Sequence, residues 1–86
     1  MLDPIHGPAR TARVILKAAV QELRLKAGDF LYEPPLRIAF KFRGLQVEDI
    51  WAGLEYAKAQ GWLRFEPTAG AYTLTKAGFE AAPAPA

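Results

Sequence analysis

Between Pro8 and Gly28 the sequence GPARTARVILKAAVQELRLKAG places its apolar residues on one unbroken period. Ala12, Ile15, Leu16, Ala19, Val20 and Leu23 fall at i, i+3, i+4, i+7, i+8 and i+11, which is one face of an α-helix. Pro8 suits a first turn, where no amide donor is needed, and Gly28 suits a C-terminal cap, so a helix is expected over 8–27. A face of that length must be covered, and the rest of the 86 residues holds apolar segments that can cover it. With 51% hydrophobic and 23% charged residues it has the balance of a folded globular chain, at a length that argues for one domain. That domain is expected over 1–80. The Ala/Pro stretch AAPAPA, 81–86, has nothing to bury and is expected to be a disordered tail.

The rest divides at its Pro and Gly residues. Phe30, Leu31 and Tyr32 read as a short strand stopped by Pro34–Pro35. LRIAFKFRG, Leu36 to Gly44, reads in two ways. By twos, Leu36, Ile38, Phe40 and Phe42 face one side and Arg37, Lys41 and Arg43 the other, as in a half-buried strand. By threes and fours, Leu36, Ala39 and Phe40 form a helical stripe, widened by Ile38 and Phe42, with Arg37 and Lys41 a turn apart on the wet side. Pro35, able to open a helix, tips the choice toward a helix over 35–43. LQVEDIWAGLEYAKAQG gives a further helix over 46–60, with Val47, Ile50, Leu54 and Ala57 inward and Trp51 on the flank, stopped by Gly61. WLRFE and AYTLT alternate around Pro-Thr-Ala-Gly, so a hairpin is expected over 62–66 and 71–75, with Thr75 capping a last turn, KAGFEA.

What the chain lacks narrows its chemistry. It has no Cys, no Ser and no Asn, and its one histidine, His6, lies in the loose start MLDPIHGPAR. Neither a Ser–His nor a Cys–His pair can form, nor a thiolate or imidazole metal cluster, and no cofactor or small-molecule substrate is expected. No run of about 18 apolar residues exists to cross a membrane, and the start lacks the basic and apolar regions of a signal peptide. The expectation is a soluble, cytoplasmic domain that is not an enzyme. Eleven Lys and Arg against nine Asp and Glu leave a net charge of +2, too small an excess to argue by itself for nucleic acid.

Several stretches resemble one superfamily. GLEYAKAQGWLRF looks like the exit of the recognition helix in winged helix-turn-helix domains, where a helix ends in Gly and bulky residues open the wing. AYTLTKAG is similar to the Y-x-L-T-x-x-G segment that closes the wing in MarR- and PadR-like regulators. AGDFLYEPPLRIAFKFRG faintly resembles the G-D-x-L entry to the second helix of GntR-like regulators. The resemblance covers roughly Arg10 to Glu80 and implies an α+β fold: a small winged helix-turn-helix of three helices with a C-terminal hairpin wing. LRIAFKFRG would then be the helix before the turn, with Leu36, Ile38, Ala39 and Phe40 packed inward. The small residue and turn glycine, Ala39 and Gly44, stand five apart where the superfamily usually has four.

The resemblance implies double-stranded DNA as partner. Arg37, Lys41, Arg43 and Arg64 are then the candidate phosphate contacts, a first-helix stripe of Arg10, Arg13, Lys17 and Arg24 adds charge, and Gln46 at the helix start is the candidate base reader. The face that would enter the groove argues otherwise. Glu48, Asp49, Ala52, Glu55, Tyr56 and Ala59 carry carboxylates and no Arg or Lys, and acids between two phosphate rails are repelled. Two readings therefore stand. One is a weak, low-specificity DNA-binding domain of a small transcriptional regulator or accessory protein. The other is a protein-interaction module, or a homodimer, that uses the acidic third-helix face.

Overall fold

The computed structural model describes residues 7–82. The expectations for the start around His6 and for the tail beyond Ala82 lie outside the described residues. The fold is α+β: α1 (Pro8–Lys17), β1 (Phe30–Leu31), α2 (Glu33–Phe42), α3 (Asp49–Ala59), β2 (Leu63–Glu66), β3 (Ala71–Leu74) and α4 (Lys76–Ala81). The last turn expected at KAGFEA is the short helix α4, a fourth beside the three long ones. The strands form one antiparallel sheet in the order β1-β3-β2. Leu63 pairs with Leu74, Phe65 with Tyr72, and Leu31 with Tyr72 on the far side. Leu31, Leu63 and Leu74 bury against Ile15 and Leu16 of α1, Leu36 and Phe40 of α2, and Ile50 and Leu54 of α3.

The first helix departs from its expected course. After Lys17 it widens into a π-helical turn over Ala18–Glu22 and ends at Leu23, not at residue 27. The amide of Leu25 bonds the Ala19 carbonyl at 2.9 Å across Arg24, whose φ is +58°. Arg24 therefore occupies the left-handed stop assigned to Gly28, and it leaves the basic stripe of the helix. A π-turn advances less per residue than an α-turn, so the apolar face shifts phase. Ala18 becomes buried, while Val20 and Leu23, expected in the core, are only half-buried.

LRIAFKFRG is helical, and the stripe at threes and fours is what it buries: Leu36, Ala39 and Phe40. Ile38 points the other way and is 56% exposed, because it lies on the opposite side of a helix that has one partner face. The helix opens two residues early, at Glu33, since a first turn accepts both prolines. It closes on Gly44 at φ +70°, with Leu45 N–H bonding Phe40 O and Gly44 N–H bonding Lys41 O, both at 3.0 Å. That paired closure needs a left-handed residue, which glycine adopts without strain. The third helix starts at Asp49, later than residue 46, and closes in the same way: Trp62 N–H bonds Ala57 O across Gly61.

The hairpin turns through Pro67–Gly70, as expected, though its strands are trimmed to 63–66 and 71–74. Leu63 is buried, but Phe65 is 43% exposed and Tyr72 half-buried. Thr75 caps α4 by accepting from the Gly78 amide at 3.0 Å, and its hydroxyl donates to the Gly61 carbonyl at 2.6 Å. The helix runs through Ala81, and Ala81 and Ala82 pack against the core. These two residues belong to the fold and not to the tail expected from 81.

Candidate interaction surface

Most of the residues expected to grip phosphate are already engaged. Arg37 pairs with Glu33 one turn earlier on α2, a partner hidden from the sequence by placing the helix start after Pro34. Arg43 reaches back to Glu22 in the π-turn at 2.5 Å, with its side chain only 27% exposed. It ties the end of α2 to the end of α1 and so lies partly inside the fold. Arg64 bonds Glu66 at 2.6 Å on the same strand. That hydrogen bond, more than the opposing effect of desolvation, holds the Glu66 carboxyl below the usual carboxylate range, and Thr73 adds a bond at 3.2 Å. Of the four, Lys41 alone has no carboxylate within reach among the described residues. Gln46 sits in the link between α2 and α3, not in the helix, and its carbonyl accepts from the Asp49 amide.

Of the first-helix stripe, Arg13 lies over the Trp62 ring at 6.0 Å, and Tyr56 packs on the same ring from α3 at 5.9 Å. Tyr56 is therefore half-buried, not part of the exposed path assigned to it. The other residues of that face, Glu48, Asp49, Ala52, Glu55 and Ala59, are exposed.

Beside this face lies a feature that the periodicity did not reveal. Trp51 is 56% exposed on α3, and across from it stand Phe65 and Tyr72 of the hairpin, their ring centroids 5.2 Å apart. Together with Leu54, Glu55, Lys58 and Glu33 they line a groove of about 420 Å³. Glu55 and Lys58 pair at 3.4 Å. Burial pushes the Tyr72 hydroxyl up, Glu55 pushes it further, and Lys58 opposes, so the ring stays neutral. The signal was present in the sequence as a tryptophan off the buried stripe. Placing it opposite Phe65 requires knowing how α3 packs on the hairpin.

A second, shallower groove of about 360 Å³ runs along the outer side of α2, lined by Glu33, Pro34, Arg37, Ile38 and Lys41. No group of three or more His, Asp or Glu side chains among the described residues is placed to hold a metal ion. No described helix is long and apolar enough to cross a membrane. Comparison with family models, curated proteins and solved structures returns no match to this chain.

Proposed function

We propose that this chain is a winged helix-turn-helix domain that acts as a protein-interaction module through α3 and the hairpin, and not as a reader of DNA. The succession of α1, α2, a glycine-closed turn, α3 and a hairpin supports the fold. The observation that carries the function is the aromatic groove, where Trp51 of α3 and Phe65 of β2 stand exposed on facing elements. Half-exposed aromatic rings over a buried floor are the composition of an interface centre. Leu54, 1% exposed, supplies that floor.

The charges support the same choice. Arg37, Arg43 and Arg64 each sit against a carboxylate, so a phosphate would gain little from them and would meet Glu33, Glu22 and Glu66 beside them. Glu48 and Asp49 hold the start of α3 negative, while Glu55 is balanced by Lys58. The base reader is weakened too, because Gln46 lies outside the helix.

The test has two arms. Labelled duplex DNA is titrated at about 50 mM and at physiological salt, where screening differs most for surface charge. No binding is expected. Binding with a log–log salt slope of about −3 to −4 would restore the DNA reading. In parallel, a phage-displayed peptide library is panned against the folded domain and counter-selected on Trp51→Ala. A recurrent motif is expected, weakened at least tenfold by Trp51→Ala, since exposed tryptophans dominate interface energies. Enrichment that ignores Trp51 would reject the groove as the site.

A further inference from the structure

The fold uses its two tryptophans differently. Trp62 is half-buried, with the Arg13 guanidinium 6.0 Å over its ring and Tyr56 packed beside it at 5.9 Å. Trp51 is 56% exposed, and among the described residues no cation or second ring stacks on it. Its surroundings are electron-rich. Phe65 and Tyr72 stand across the groove, and an aromatic face carries the negative side of its quadrupole. Of the charged groups that line the groove, Glu33 is paired with Arg37, and Glu55 with Lys58 at 3.4 Å. Glu48, beyond the lining, has no such partner. It stands one turn before Trp51, at i and i+3, is exposed, and pairs with no cation among the described residues. Helical side chains lean toward the N-terminus, so the Trp51 ring leans toward the turn that holds Glu48.

We propose that the groove takes an arginine side chain of a partner polypeptide, its guanidinium stacked on Trp51 and its charge answered by Glu48. The inference rests on the groove being the interface and adds the chemistry of what enters it. A guanidinium is planar and weakly hydrated, so it stacks on an indole face where a lysine ammonium would keep its water. Its apolar stem can lie along Phe65 and the floor that Leu54 supplies. Its N–H groups, free at the edge of the stack, reach the unpaired carboxylate beside the ring. An acidic side chain would instead meet Glu48 and Glu55. A leucine would fill the floor and leave Glu48 unanswered. The fold makes the same contact once from its own residues, with Arg13 on Trp62.

Titration of short peptides into the isotope-labelled domain tests this, read at the Trp51 indole N–H resonance with the Trp62 indole as internal reference. The probes are a blocked Gly-Gly-Arg-Gly-Gly peptide and the same peptide with citrulline or leucine at its centre. Citrulline keeps the shape and planarity of arginine without its charge. Each is taken to about 20 mM, enough to detect a millimolar contact. The arginine peptide should shift Trp51 and bind about fivefold more tightly than the citrulline peptide, the size of an exposed cation–π contact. Glu48→Gln should weaken the arginine peptide about threefold, as for an exposed charge pair, and leave the citrulline peptide and the circular dichroism spectrum unchanged. Citrulline or leucine binding as tightly as arginine overturns the proposal while leaving the groove as the interface, since Trp51 still reports it. An arginine peptide that leaves Trp51 unmoved at the highest concentration also overturns it, and the panned library then decides on the groove independently. Unchanged arginine affinity in Glu48→Gln overturns the role given to that carboxylate.

Discussion

Arg24 is the one residue other than glycine among the described residues with a left-handed backbone. Such a conformation crowds Cβ against the following carbonyl and costs an L-residue about 1–2 kcal/mol. Its position, where the π-turn ends and the Leu25 amide reaches back to Ala19, is one that helices commonly fill with glycine. Arg24→Gly should therefore raise unfolding stability by about 1 kcal/mol, read as a higher urea midpoint at unchanged slope. The sequence pointed to Gly28 instead, because the rule for a helix stop looks for glycine and nothing local marks a π-turn. The charged residues carry the same lesson. Arg37 and Lys41 were correctly placed on the wet side of α2, but the pairing of Arg43 with Glu22 joins residues far apart in the chain, and no periodicity encodes it.

Elements were more legible than their phases. The hairpin, its turn, the Thr75 cap and the glycine stops of α2 and α3 could be read because each rests on a local rule of backbone geometry. LRIAFKFRG was ambiguous for a physical reason: aromatic and β-branched residues on both sides of a helix mimic strand alternation. How α1 meets α3 was not legible at all, and it turns on Gly53. A Cβ built there would lie 2.6 Å from Thr11 Cγ2, 2.8 Å from Ile15 Cδ1 and 3.1 Å from the Thr11 carbonyl carbon. The two helices approach until only a hydrogen fits. Gly53→Ala would ordinarily gain about 1 kcal/mol of helix propensity. Here overpacking should outweigh that gain, with a net loss of about 1–2 kcal/mol in thermal or urea unfolding. Thr11→Ala in the same chain should recover part of it by removing Cγ2.

At the scale of the molecule, stability rests on one cluster of buried side chains drawn from three helices and the sheet, with no disulfide to help. Leu54 is 1% exposed within it, and Leu54→Ala should cost about 2–5 kcal/mol. A domain of this size has about that much to lose, so the variant should unfold near room temperature in calorimetry. The strand order has a consequence for how the chain reaches this state. β3 is central, joined to β2 through a tight turn but to β1 only across α2, α3 and β2. Closing a short loop loses little entropy and closing a long one loses more, so the hairpin can zip early while β1 waits for the helices to bring it alongside. The two amides that fasten it, Gly28 to Leu74 and Leu74 to Asp29, are then the last latches to close and the first to open. The seam between the two halves of the chain is where breathing of the native fold begins.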